Sequence, residues 1–243
     1  MKNIAFALIC IVVFLSCKKT TPTTSTTTTD NVVTGNISGK TTQIDQYGNT
    51  PSSGLNGVTV SLDNSTVTAV TDNSGNYILQ GVKPGVYTIF FNKQGCEAYE
   101  IQQVNFPGNG TLYENGYAVQ KPTFQFASAT AVNVVDSIFH QNRVKVTLNL
   151  SPNTNSLNLS YITGANNSID TINPGQGSFY NIQIPPNTST FTFNTAFFGF
   201  TSATGSYVKI YPYSGGGVSY HDYGTNSNKF LGYGTPLAAI KVN

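Results

Sequence analysis

Apolar and polar residues alternate from Gly57 to Phe91 (GVTVSLDNSTVTAVTDNSGNYILQGVKPGVYTIFF) with the two-residue period of half-buried strands. Val58, Val60 and Leu62 alternate with Thr59 and Ser61, and Val67 and Ala69 continue the pattern. Asp72-Asn73-Ser74-Gly75-Asn76 then supplies turn chemistry, because short polar side chains bond back to nearby backbone. Tyr77, Leu79, Tyr87, Ile89 and Phe91 flank a second turn, Gly81-Val82-Lys83-Pro84-Gly85. Pro84 has no backbone N–H and suits a turn rather than a central strand. The stretch therefore predicts four short strands joined by three turns. No segment holds a 3.6-residue apolar period long enough for a helix.

The pattern persists in both directions. Tyr99 to Val104 and Thr111 to Val119 read as strands, with a turn over Phe106–Gly110. After Lys121-Pro122, strands are expected over Ala131–Ile138, Arg143–Leu150, Leu157–Thr163, Phe179–Ile184, Thr190–Ala196, Tyr207–Tyr213 and Leu237–Val242, with a loop from Gly164 to Gln176. Strands at this spacing, separated by turn signals and without helices, predict an all-β chain. The expected architecture is two β-sandwich domains, the second immunoglobulin- or fibronectin-like.

The order GVTVSL, a gap, TDNSGNY, then GVKPGVYTIFF and Lys93-Gln94-Gly95-Cys96 resembles the carboxypeptidase regulatory-like family. Val33-Thr34-Gly35-Asn36-Ile37-Ser38-Gly39 looks like that family's first strand. The resemblance implies a small prealbumin-like sandwich over 32–121, of the kind found as an accessory module in extracellular proteins. It implies no chemistry of its own, and no peptidase domain accompanies it. Thr41 to Gly54 reads as a long polar insertion, either a binding loop or a tolerated one.

The N-terminus adds a location. Lys2 is followed by an almost wholly apolar run, Ile4 to Leu15, about the length of a signal-peptide core and short for a membrane span. Phe14-Leu15-Ser16-Cys17 resembles the bacterial lipoprotein cleavage box, which implies a signal peptide over 1–16 and acylation of Cys17. Several acyl chains on one residue would anchor it, since each buried methylene contributes about 0.8 kcal/mol. Lys18 after the cysteine, rather than aspartate, resembles lipoproteins passed on to the outer membrane. Residues 17–31 comprise the cysteine and a Thr-rich linker with nothing to bury. The second sandwich is expected over 122–243.

Composition narrows the functional classes. Charged residues make up 9% of the chain, against about 25% in an average soluble domain. Twelve basic and ten acidic residues leave a balance near neutral, without the basic stripe that nucleic acid requires. Cys10 would leave with the signal and Cys17 would be acylated, so Cys96 stands without a disulfide partner and reads as a small buried apolar residue. Two histidines and no cysteine pair argue against zinc, and no cofactor is expected. Asp72, Ser74 and Asn76 imitate an EF-hand start, but Tyr77 and Lys83 occupy the positions that need Gly and Glu.

Three sets of candidate residues remain. Tyr207, Tyr211, Tyr213, Tyr220 and Tyr223, interleaved with Gly215-Gly216-Gly217, could stack on sugar rings or a peptide. Asp136-Ser137-Ile138 and Asp170-Thr171-Ile172 resemble the acceptor of an envelope O-glycosylation system, at Ser137 and Thr171. His221-Asp222 is the one place where an imidazole and a carboxylate adjoin, although neighbours on a strand point to opposite faces.

The leading expectation is a non-enzymatic lipoprotein, held to the membrane by its lipid anchor, that serves binding, adhesion or assembly with an envelope protein. The alternative is a glycan-binding accessory protein of an outer-membrane uptake system. A hydrolase would require a cleft between the two domains lined by His221, Asp222 and another carboxylate.

Overall fold

The computed structural model describes residues 33–138, 140–169, 180–195 and 203–243. Every regular element among them is a β-strand. The signal, Cys17 and the Thr-rich segment lie outside the described residues, as does Thr171.

The first module stacks two sheets. One places β4 (Asn76–Val82), β1 (Gly35–Ile44), β9 (Gly116–Gln120) and β6 (Cys96–Glu97) side by side, with β8 (Thr111–Tyr113) also on β1. The other orders β3 (Thr68–Val70), β2 (Thr59–Leu62), β5 (Gly85–Asn92) and β7 (Tyr99–Phe106). The alternation read from the sequence is the alternation observed. Val58, Val60, Leu62, Tyr77, Leu79, Ile89 and Phe91 turn inward and form one core with Ile37, Val104 and Phe106. The four strands and three turns expected between Gly57 and Phe91 are β2 to β5.

Two expectations change here. The stretch Thr111–Val119 is two strands rather than one. β8 runs parallel to β1 at Asn36–Ser38, and β9 runs parallel to it at Thr41–Ile44. Between them Glu114 donates its N–H to Ser38 O, and Asn115 Oδ1 accepts Lys40 N–H, so the chain shifts along β1 without leaving it. The supposed insertion Thr41–Gly54 begins as the last four residues of β1 and then turns. That turn, Asp45-Gln46-Tyr47-Gly48-Asn49, repeats the geometry of Asp72-Asn73-Ser74-Gly75-Asn76. In each, the aspartate Oδ1 accepts two backbone N–H groups and Oδ2 accepts the asparagine amide. In each, the glycine takes the positive φ, 90° at Gly48 and 84° at Gly75.

The second module holds β10 (Phe126–Val135), β11 (Asn142–Leu150) and β14 (Thr190–Asn194) in one sheet. A second sheet orders β13 (Tyr180–Ile184), β12 (Leu157–Gly164), β15 (Tyr207–Tyr213) and β18 (Ile240–Lys241). β10 starts five residues before the expected Ala131, its first register positions interrupted by a bulge between Phe126 and Ser128. Val144, Val146 and Leu148 meet Leu159, Ile184, Val208 and Ile210 in a separate core. A two-stranded ribbon, β16 (Ser219–Asp222) and β17 (Ser227–Phe230), stands apart from both sheets.

The two cores are joined, and Val33–Asn243 forms one unit. Ile44 and Val119 of the first module pack with Val218 and Leu231 of the second, flanked by Tyr99, Tyr117 and Tyr220. Tyr99 meets Tyr220 edge-on at 5.8 Å, a pair that contributes about 0.5–1.5 kcal/mol beyond area burial. The Asp45–Asn49 turn works as a strut. Tyr47 stacks on Phe124, its carbonyl accepts Asn158 Nδ2 at 2.8 Å, and Gln46 Oε1 accepts the Thr123 N–H and hydroxyl. The polar loop of the sequence reading is thus bound, but by its own chain.

Candidate binding cleft at the module seam

The tyrosine segment divides into two parts. Tyr211 and Tyr213 are each 3% exposed, because β15 is an inner strand of its sheet. Tyr213 stacks on Tyr233 at 4.7 Å and its hydroxyl accepts the Gly217 N–H. Tyr211 packs with Ile162 and Ile169, and half-buried Tyr207 rests against the same cluster. Burial pushes the phenols of Tyr213 and Tyr233 up, the latter to about 12. These rings are structural and present no stacking platform. Tyr220 is half-buried in the seam. Tyr223 alone of the five is open, at 57%. It stands edge-on to His221 at 4.7 Å, and its N–H donates to Gln102 Oε1 of the first module.

His221 and Asp222 do not form a pair. His221 is exposed and meets Asn228 Oδ1 through Nδ1 at 3.1 Å. Asp222 is buried and accepts Lys229 Nζ at 2.7 Å across the ribbon. That bond, with help from Thr225 and Gly224, holds the Asp222 carboxyl well below the usual carboxylate range. Among the described residues no group of three His, Cys, Asp or Glu side chains could hold a metal. Asp72 spends its oxygens on its own turn, led by Asn76, which lowers its pKa.

A cleft does lie between the modules, and it is built from other residues. Its volume is about 340 Å³, within the range of small-ligand sites. One wall is Glu97 of β6, and the other is the ribbon from Thr225 to Leu231, with Asn228, Lys229 and Phe230. Neither His221 nor Asp222 lines it. Glu97 also borders a second cleft of about 450 Å³, shared with Cys96, Lys121 and Phe124. A larger cleft of about 630 Å³ sits on the first module by Asn64–Val67, Lys83 and Tyr87. It is lined mainly by turn residues, and the Tyr87 hydroxyl is taken up by Lys83 O.

Glu97 is the unusual group. It is half-buried, and its Oε2 accepts the N–H of Gly232 across the seam. Burial pushes its carboxyl up, against the opposing pull of that N–H and of Lys121. Gly232 can come this close because it has φ +87° and no side chain. A Cβ there would lie 2.0 Å from Ser214 Oγ and 3.1 Å from Val119 Cγ1. Cys96 is half-buried beside the first core, and burial raises its thiol. Ser137 is exposed in the turn after β10.

Sequence reasoning missed the cleft for two reasons. Glu97 meets its partner 135 residues away, with no local trace. The ribbon was legible, since Tyr220 and Asp222 alternate before a Gly-Thr-Asn turn, but the tyrosines drew the reading instead.

Comparison with known proteins places the first module. No curated protein matches the chain. Solved structures overlap it loosely. A cohesin–X-module–dockerin complex from Acetivibrio cellulolyticus shares 23% identity over 35% of this chain and 56% of that one, with a TM-score of 0.30. This chain therefore spans little more than half of that match. A DUF3823 family protein from Bacteroides ovatus and a proposed carbohydrate-binding protein from Bacteroides uniformis each share 13% identity and 98% of their own length. They cover 86% and 85% of this chain, both with a TM-score of 0.27. Scores this low carry no argument about function. The family model of the carboxypeptidase regulatory-like domain matches residues 48–115, from the Asp45–Asn49 turn to the break between β8 and β9. Over those residues the chain carries a carboxypeptidase regulatory-like domain.

Proposed function

We propose that this chain is a non-enzymatic binding protein of the bacterial cell envelope. It is acylated at Cys17, held at the outer membrane, and uses the seam between its two modules to capture a protein partner. The observation that supports the binding role is the seam cleft, walled by Glu97 on one side and by the β16–β17 ribbon on the other. Neither module alone has both walls. Tethering would confine this surface near membrane partners and raise its effective concentration there. The N-terminal sequence supports the anchor: an apolar run, a small residue, a cysteine, then a Thr-rich segment.

The anchor is tested in cells by labelling with radioactive palmitate. The wild-type chain is expected to take up label and fractionate with the outer membrane, and Cys17→Ala to lose both. Label retained by Cys17→Ala contradicts the proposal. Ser137, exposed at a turn, is proposed to carry the O-linked glycan. Intact-mass measurement of wild type and Ser137→Ala tests this, with loss of the glycan mass expected.

A second reading, glycan capture, is favoured by one feature. Tyr223 offers an exposed ring beside His221, with Gln102 and Asn228 at hand for hydroxyl groups. A glycan screen with the full chain in detergent separates the readings. Saturable polysaccharide binding that Tyr223→Ala abolishes selects this one.

A further inference from the structure

The seam cleft has a chemistry more specific than a binding surface needs. Much of its lining is apolar, from Phe230 and Leu231 and the stems of neighbouring side chains. Glu97 is a carboxylate with one oxygen engaged by Gly232 N–H and, among the described residues, no hydrogen bond to the other. No ion pair joins Glu97 to a lysine among the described residues. Lys229, on the opposite wall, is already committed to Asp222 at 2.7 Å. Lys121 borders the neighbouring cleft, not this one. The cleft thus holds a carboxylate with one oxygen open, offset by Lys121 only through space and by no direct ion pair among the described residues, at the end of an apolar slot.

Resting on the reading of the seam as a partner site, we infer that the cleft receives a lysine side chain from a protein partner. The four-carbon stem would lie along Phe230 and Leu231, and the ammonium would meet the unengaged oxygen of Glu97. Lysine fits better than arginine. A guanidinium makes its strongest contact as a fork on both carboxylate oxygens, and Gly232 holds one of them. An ammonium is a point donor that a single oxygen can satisfy. An anionic ligand is repelled by Glu97. The half-buried setting matters too, since charge pairs are screened less there than on open surface.

The test titrates the full-length chain in detergent micelles with four probes, followed by the Gly232 and Leu231 amide signals. The probes are the capped peptide Gly-Gly-Lys-Gly-Gly, its norleucine and arginine analogues, and a neutral oligosaccharide. The lysine peptide is expected to bind about tenfold or more tightly than the other two peptides. Glu97→Gln, which keeps an acceptor for Gly232, is expected to erase that preference while leaving the fold's spectrum intact. Equal binding of the norleucine peptide, or a preference that survives Glu97→Gln, overturns the inference. Binding of the oligosaccharide alone overturns it and leaves the seam as a glycan site. No binding by any probe overturns both the inference and the seam as a binding site.

Discussion

β15 and the β16–β17 ribbon are neighbours in the chain and both carry tyrosines, yet they do opposite things. β15 carries Tyr207, Tyr211 and Tyr213, and the ribbon with its turn carries Tyr220 and Tyr223. β15 pairs on both edges: all seven of its residues are in register with β12, and Tyr207 and Val208 also pair with β18. Its tyrosines are core. The ribbon pairs only with itself and rests on β7 through Tyr220 and Gln102. Among the described residues it pairs with no other strand, and it carries the exposed Tyr223 ring in its turn and one wall of the cleft from Thr225 to Leu231. Residue type decided nothing here. The number of paired edges and covered faces decided which tyrosines could meet a ligand.

That contrast is broken most sharply by truncation. Tyr211→Ala or Tyr213→Ala should cost about 3–5 kcal/mol, the range for deleting a buried aromatic side chain. Tyr223→Ala should stay within about 0.5 kcal/mol, as for an exposed site. Urea unfolding of the three variants measures the gap, and comparable losses would remove the distinction. Next in size is Gly232→Ala, which forces a side chain into Ser214 Oγ at a positive φ. A loss of about 1–3 kcal/mol is expected, with Gly205→Ala as the control at an open positive-φ position.

Two smaller effects have opposite signs with pH. Lys229 holds the Asp222 carboxyl low, so that contribution is complete above the usual carboxylate range and is lost as pH falls below that range toward the lowered value. Lys229→Met should therefore lose stability near pH 7 and show a flatter decline on acidification. Burial holds the Glu97 carboxyl high, so its contribution is complete below the usual carboxylate range and is lost as pH rises through its raised value. Glu97→Gln should match wild type at acid pH and exceed it at neutral pH. Thermal unfolding from pH 2 to 7.5 measures both, the Asp222 difference below pH 4 and the Glu97 difference above it, and parallel curves for wild type and variant across that range would contradict either assignment.

Much of the first module was legible because its determinants are local. The inward positions from Val58 to Phe91 follow a two-residue period, and the Asp72–Asn76 turn is held by its own aspartate. The same five-residue pattern at Asp45–Asn49 went unread because it sat in a stretch of polar residues without strong alternation. Its importance comes from Asn158 and Phe124, which only the fold brings near. The split of β8 from β9 at Glu114-Asn115 depends on Ser38 and Lys40, two registers of a distant strand. The seam is the extreme case. Glu97 and its partner Gly232 lie 135 residues apart, and no periodicity relates them.

The most direct measurement is an amide-shift map of the full-length chain during titration with the single-lysine peptide. The account predicts perturbations centred on Glu97, Asn228, Leu231 and Gly232. Perturbations confined to the Asn64–Val67 and Lys83 cleft, with the seam silent, would contradict it.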